Sequence, residues 1–411
     1  MISKRQFLAG TAALAGATLV GGRAAVAQAP SFGPPPGPIA PAEFAARMAK
    51  LQGLLRAAGV GALVVEAGSA LVYFTGIEWS TSERVTAAVI PAEGDTAIVT
   101  PAFEEPSVRE TLRIAADVRA WNEDESPTAL IAKVLGDRKV ASMPVAVDRS
   151  VRFFVTDGLR AALPGVAIVA GEALVNRCRQ IKSPAELALL QRANTITMAA
   201  MRTVHGQIAP GMTQHDIVAL MDRTSAAFGA PSEFSLVLLG LASAYPHGSH
   251  QPQVVREGSV ILMDCGAAVQ GYQSDISRSW VYGESSARQR KVWNTVRRGQ
   301  DIALETARIG VPVGTIDDAV RAFYTAEGWG PGYHLPGLSH RTGHGIGIDG
   351  HESPYLVHGD ATPLAAGMCF SDEPGIYIPG EFGIRLEDCW HMTEGGPQPF
   401  TPLARSVDDP V

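Results

Sequence analysis

A chain of 411 residues with 46% hydrophobic and 18% charged side chains is long enough for two packed domains and too apolar to be disordered. Its 34 Lys and Arg against 41 Asp and Glu leave a net charge of −7. With no basic cluster, that balance argues against nucleic-acid binding, which needs cations to neutralise phosphates.

Residues 1–29 open with Lys4 and Arg5, continue through an apolar stretch over 7–20 and close on Ala27-Gln28-Ala29. Charge, short apolar core and small-residue cleavage site together read as an export signal rather than a membrane span. The run around Lys4-Arg5 resembles a twin-arginine signal with Lys4 in place of the first arginine; Sec export is the alternative. The expectation is a periplasmic protein with neither lipid nor membrane anchor. Residues 30–40, rich in proline, predict a stiff extended linker.

From Pro41 the apolar positions Phe44, Met48, Leu51 and Leu55 fall on one helical face, stopped by Gly59. Buried strands are predicted at 61–65, 86–90, 96–100, 145–147 and 166–169, with helices at 128–135 and 157–163 between them. The alternation predicts an α/β domain over 41–175. It holds no histidine, and its simplest role is scaffold or dimerisation. All ten histidines lie at or beyond His205, so imidazole chemistry belongs to the remainder, 176–411.

That remainder begins with a capping box at Ser183-Pro184-Ala185-Glu186, predicting a helix to near Gly206. Thr213 with Asp216 predicts a second helix to about Phe228, residues 288–308 a third, and Thr315 with Asp318 a fourth to about Glu327. An internal echo accompanies them. Thr213, Asp216 and Val218 share their spacing with Thr315, Asp318 and Val320, each set preceded by a glycine (Gly211, Gly314), and His247-Gly248 is answered by His344-Gly345. Asp264 with Asp275 is answered by Glu373 with Glu387, as in a duplicated unit.

Asp264 is expected at the end of an apolar strand, and Asp275 at the start of the one that returns. Glu373 and Glu387 lie in equally apolar surroundings, where a carboxylate is costly without a compensating cation or donor. Singly, each has a plain alternative as a turn, cap or ion-pair residue, and His344 as a loop histidine. Together, four carboxylates and one imidazole suit hard or borderline divalent ions, with carboxylates bridging two of them. The four cysteines (Cys178, Cys265, Cys369 and Cys389) are scattered without a CxxC, so they offer neither a disulfide scaffold nor a zinc knuckle.

In order and local context, Asp264, Asp275, His344, Glu373 and Glu387 resemble the ligand set of the pita-bread metallohydrolases, which include Xaa-Pro aminopeptidases, prolidases, methionine aminopeptidases and creatinase. The resemblance rests on His344-Gly345-Ile346-Gly347 with His351-Glu352, Glu373-Pro374-Gly375-Ile376-Tyr377, and Gly383-Ile384-Arg385-Leu386-Glu387. Arg179 to Glu186 resembles the family's lead into the catalytic domain, and Tyr73-Phe74-Thr75-Gly76 a signature of its creatinase-type N-terminal domain. The similarity covers residues 41–405 and points to the proline-peptidase and creatinase branch. It implies a creatinase-like α/β domain followed by an α+β pita-bread catalytic domain with an internal pseudo-two-fold repeat.

Carried over by residue, the resemblance implies that Asp275 and Glu387 bridge two divalent metals, that Asp264 completes one site, and that His344 with Glu373 completes the other. Mn is the first expectation, with Co and Zn as alternatives. His247, His340 and His351 match outer histidines that steer protons and hold the scissile carbonyl, and Arg385 with Tyr377 a pair that orients Asp264. Glu373 additionally relays a proton. The implied reaction is hydrolysis of an X-Pro bond in a peptide with proline second, by a homodimer acting as aminopeptidase or dipeptidase. Alternatives are a creatinase-, ectoine- or dimethylsulfoniopropionate-type relative with a non-peptide substrate, and a non-catalytic binding module.

Overall fold

The computed structural model describes residues 30–411, so the export signal expected at 1–29 lies outside the described residues. Residues 30–40 are extended, as their prolines dictate, and they are laid along the second half of the chain. Phe32 meets Phe228 with ring centroids 5.8 Å apart, and the Arg192 guanidinium donates to the Gly33 carbonyl at 3.1 Å. This segment is therefore packed strapping as well as spacer.

The first domain has helices α1 (Pro41–Ala57), α2 (Ser69–Thr75), α3 (Glu105–Thr111), α4 (Pro127–Asp137), α5 (Phe153–Ala162) and α6 (Glu172–Arg179). They flank strands β1 (Ala62–Glu66), β2 (Ala87–Pro91), β3 (Ala97–Pro101), β4 (Asp117–Trp121), β5 (Val145–Val147) and β6 (Ile168–Ala170). One mixed sheet results, ordered β4-β3-β2-β1-β5-β6, with β1–β2 and β2–β3 antiparallel and the other pairs parallel. Strands β1 to β3 are buried on both faces, which is why they begin as runs of Ala, Val, Ile and Leu. Strand β4 escaped prediction because it is an edge: Asp117 and Arg119 face outward there and pair with each other at 2.8 Å. Helix α2 ends at Gly76, whose φ of +78° and approach to the Arg113 side chain leave no room for a Cβ.

The second domain repeats a two-helix, antiparallel-strand unit. Helices α7 (Pro184–His205) and α8 (Gln214–Ala227) precede β7 (Ser232–Leu239), β8 (Val260–Val269), β9 (Tyr272–Gln273) and β10 (Ile276–Val281). Helices α9 (Ala287–Thr306) and α10 (Gly314–Ala326) precede β11 (Gly343–Gly345), β12 (Glu352–Leu356), β13 (Cys369–Asp372), β14 (Gly375–Ile378), β15 (Phe382–Arg385), β16 (Asp388–Thr393) and β17 (Gly396–Pro399). The sheets run β10-β8-β7, with β9 on β8, and β12-β11-β13-β16-β17; β14 and β15 form a separate hairpin.

The capping boxes expected at Ser183 and Thr213 are formed. The one at Thr315 is not: α10 begins at Gly314, after Val313, and Asp318 is no cap. Its neighbour Asp317 is fully buried instead. It accepts hydrogen bonds from the Thr342 amide (3.0 Å) and hydroxyl (2.7 Å) and from Arg321 Nε (2.7 Å). A carboxylate that looks like a helix start thus anchors the loop leading to His344. Among the described residues, no helix is long and apolar enough to cross a membrane.

Candidate active site

Strand pairing alone brings the acids together. Asp264 lies in the middle of β8, which continues to Val269 rather than ending there, opposite Ser277 of β10. Asp275 immediately precedes β10. In the second unit Asp372 of β13 pairs with Asp388 of β16, so Glu373 and Glu387, the next residues beyond that pair, emerge side by side. The two units are stitched by the Glu387 amide on the Ser277 carbonyl (3.0 Å) and the Ser277 hydroxyl on Glu387 Oε2 (2.8 Å). His344 sits on β11 between two glycines; a Cβ on Gly343 would come within 2.2 Å of the Ser371 carbonyl.

His344 Nε2 lies 3.6 Å from Asp275 Oδ2, 3.6 Å from Glu373 Oε1 and 3.9 Å from Glu387 Oε1. Asp264, Asp275 and Glu387 form one group with ligand atoms within 4.8 Å of one another, and His344, Glu373 and Glu387 form another. Glu387 is common to both, and Asp275 also groups with His344 and His351. Glu387 Oε1 and Asp264 Oδ1 are buried without a hydrogen-bond partner. Burial, and then the neighbouring carboxylates, push the Asp275 and Glu387 carboxyls well above the ordinary range, and burial lifts Glu373 to about 8. Such crowding is tolerable with protons or cations between the oxygens. Hard carboxylate oxygens with one imidazole fit divalent cations.

Of the residues around this cluster, His247, His340, His351 and Arg385 line the same cavity of about 410 Å³. Tyr377 stands behind its wall, with its hydroxyl 3.2 Å from Arg385 Nη1 and 2.8 Å from His340 Nε2. Arg385 pairs with Asp264, and its Nε donates to the Ser277 hydroxyl at 2.9 Å; Tyr377 reaches Asp264 only through Arg385. The histidines divide. His340 has both nitrogens engaged, Nδ1 by the Arg341 carbonyl at 2.8 Å and Nε2 by Tyr377, while burial drives its pKa down to about 3. It is a neutral strut with no nitrogen left for a scissile carbonyl. His247 and His351 make no hydrogen bond among the described residues and present free ring nitrogens to the cavity. His351 stacks on His344 with centroids 3.7 Å apart and planes at 24°.

Four contributors were not singled out in the sequence. Ser277 lies two residues past Asp275, inside a motif already in view. Phe234 and Leu236 alternate on β7 to give the cavity an apolar wall. Arg341, next to His340, also lines it.

The sequence matches Metallopeptidase family M24 over residues 188–394 and the Creatinase/Prolidase N-terminal domain over 47–181. It is 34% identical to the probable dipeptidase PepE of Mycobacterium tuberculosis, over 86% of this chain and 93% of that one. It is 32% identical to the Xaa-Pro dipeptidase of Lactobacillus helveticus, over 80% and 89%. The crystal structure of dipeptidase PepE from Mycobacterium ulcerans superposes with a TM-score of 0.82 at 32% identity, covering 89% of this chain and 97% of that one. With its creatinase/prolidase-type N-terminal domain and pita-bread catalytic domain, the chain belongs to metallopeptidase family M24.

Proposed function

We propose that this peptidase hydrolyses the bond between an N-terminal residue and a following proline, with two divalent cations as cofactor. The observation that carries the reading is the convergence of Asp275, Glu373 and Glu387 on His344, with Asp264 grouped beside Asp275 and Glu387 and with oxygens of Asp264 and Glu387 buried without a hydrogen-bond partner. Asp264, Asp275, His344, Glu373 and Glu387 would hold the cations, Glu387 being common to the two ligand groups. When bound, such cations supply Lewis acidity toward a carbonyl and make water acidic enough to attack near neutral pH.

The chain's own groups do the rest. The proline nitrogen, like any amide nitrogen, must gain a proton to leave as an amine. Glu373, facing the cavity, takes a proton from the attacking water on its carboxylate and passes it to that nitrogen. His247 and His351, with free ring nitrogens, donate to the oxygen that becomes negative as the carbonyl turns tetrahedral. Tyr377 and Arg385 keep Asp264 in place throughout. Phe234 and Leu236 offer the proline ring an apolar wall.

The test is a Mn-supplemented panel of X-Pro dipeptides, X-Pro-Y tripeptides, their Ala-for-Pro analogues and creatine, with elemental analysis of the purified protein. X-Pro cleavage by metal-containing protein supports the reading. Creatine turnover, or equal rates on X-Pro and X-Ala, replaces it with a relative acting on other amides.

A further inference from the structure

Asp317 stands on α10, outside the wall of the active cavity, yet a single residue links its carboxylate to the ligand cluster. It is fully buried and accepts from four donors. Its Oδ2 takes Arg321 Nε at 2.7 Å and the His358 amide at 3.1 Å. Its Oδ1 takes the Thr342 hydroxyl at 2.7 Å and the Thr342 amide at 3.0 Å. Arg321 is itself fixed: its guanidinium lies 3.9 Å over the Tyr333 ring, and Nη1 donates to the Gly332 and Leu338 carbonyls at 2.8 and 3.0 Å. The carboxylate is locked through one oxygen and aimed at Thr342 with the other. A carboxylate has about four acceptor sites, and with all of them taken by donors this one is a stiff anchor.

Thr342 passes that position on in two directions. Along the chain, His344 follows two residues later. Across the sheet, the Thr342 carbonyl accepts the Glu373 amide at 2.8 Å. His344 and Glu373 are the residues that, with Glu387, make one of the ligand groups. The other group, Asp264, Asp275 and Glu387, has no hydrogen bond to Thr342 or Asp317 among the described residues. We infer that Asp317 is the positioning residue for the cation held by His344 and Glu373, acting through Thr342, and that it leaves the Asp264–Asp275 side untouched. The inference rests on the two-cation reading above. Partners that orient a metal ligand are typically worth about 10- to 100-fold in affinity, and Asp317 orients two ligands of one cation from a single point. The competing role is plain fold stability. The Thr342 amide also donates to the Leu356 carbonyl at 3.2 Å, so the strand has a second hold, and general damage from a broken buried pair would weaken both ligand groups alike.

The experiment titrates Mn calorimetrically into metal-free protein, where the unmodified chain should show two classes of site. Asp317→Asn keeps the size of the side chain but turns an acceptor into a donor facing donors. It should weaken one class about tenfold or more and leave the other within about twofold. Thr342→Val removes only the hydroxyl; it should weaken the same class by a smaller factor, and it decides the question if Asp317→Asn does not fold. His344→Ala identifies the class. Adding Asp317→Asn to His344→Ala should leave the affinity of the remaining site unchanged, because a residue that acts only through the lost site has nothing further to remove. Equal weakening of both classes, no weakening of either, or a further loss in the double variant overturns the inference while the two-cation reading stands. A single class in the unmodified protein overturns the two-cation reading itself, and the inference with it.

Discussion

Arg179, at the end of α6, donates from Nη2 to Glu352 Oε2 at 2.5 Å, joining the lead into the catalytic domain to the residue after His351. The same Nη2 reaches Asp349 Oδ2 at 2.8 Å, and Ser69 of the first domain also donates to that oxygen at 2.9 Å. Lys182 Nζ completes the set on Glu352 Oε1 at 2.5 Å. Burial raises the Glu352 pKa, but Lys182 and Arg179 outweigh it and hold the carboxyl below its ordinary value. His351 is thus clamped from both sides by groups outside the catalytic sheet, and the first domain has a part in aiming it.

Arg179→Met should therefore act twice. Removing one partner of a buried pair costs roughly 3–5 kcal/mol, measurable by urea unfolding. Turnover should fall about tenfold or more through loss of His351 alignment, with metal content intact. Unchanged kcat in a folded Arg179→Met protein would show that the clamp does not aim His351.

His344→Ala and His247→Ala should separate ligand from bystander. His344 contributes the imidazole shared by two of the three ligand groups, so its loss should lower bound metal and abolish activity. His247, exposed at the cavity and outside those groups, should keep metal and lose rate, on the order of 10². Equal loss of metal in both variants would refute this division of roles.

Stability should depend on pH differently with and without metal. In metal-free protein the Asp275, Glu373 and Glu387 carboxyls are raised by burial, Glu373 to about 8, against ordinary values of 3.8 for Asp and 4.5 for Glu. The folded state then binds more protons than the unfolded one, and stability falls as pH rises toward the folded values. His340 and His344, lowered to about 3, act in the opposite sense, but only below their ordinary 6.5. From pH 6.5 to 8 the carboxyl effect is therefore unopposed by these histidines, and Tm of the metal-free protein should decline. Saturating Mn replaces those protons, so the Tm gap between loaded and metal-free protein should widen over that interval. A gap that stays constant or narrows would contradict the assignment of these carboxylates as ligands.

The parts of the molecule that read clearly in sequence are those where one physical demand dominates. Strands β1 to β3 are buried on both faces and are accordingly mostly apolar, and the acids at 264, 275, 373 and 387 stand out because apolar neighbours make them expensive. Where two demands compete, the reading fails. Thr315 and Asp318 have the spacing of a cap, but Asp317 beside them is drawn inward by Thr342, and the helix starts at Gly314, two residues earlier than a cap at Thr315 would place it. His340 carries the chemistry of a proton carrier, yet tertiary contacts from Tyr377 and the Arg341 carbonyl occupy both nitrogens. Arg341 itself has no local signature; only the stack on Tyr355, fourteen residues away and on another strand, places it in the cavity.

Specificity gives the last prediction. The cavity joins an apolar wall of Phe234 and Leu236 to an acid cluster, and on the X-Pro reading proposed above a substrate would be held by its ring and its amine at once. X-Pro substrates should exceed X-Ala analogues by about 10² or more in kcat/KM, because a displaced carbonyl loses both attack geometry and oxyanion contacts. Acetylating the N-terminus removes the charge that the acids and cations recognise, and cleavage should slow by a comparable factor. Phe234→Ala should reduce the proline preference more than the dependence on a free amine, since it strips the wall and leaves the acids in place. If Phe234→Ala lowered both dependences equally, the ring and the amine would share one determinant, and the two-ended arrangement would be wrong. Steady-state rates on Leu-Pro, Leu-Ala and acetyl-Leu-Pro, measured for both proteins, decide between these outcomes.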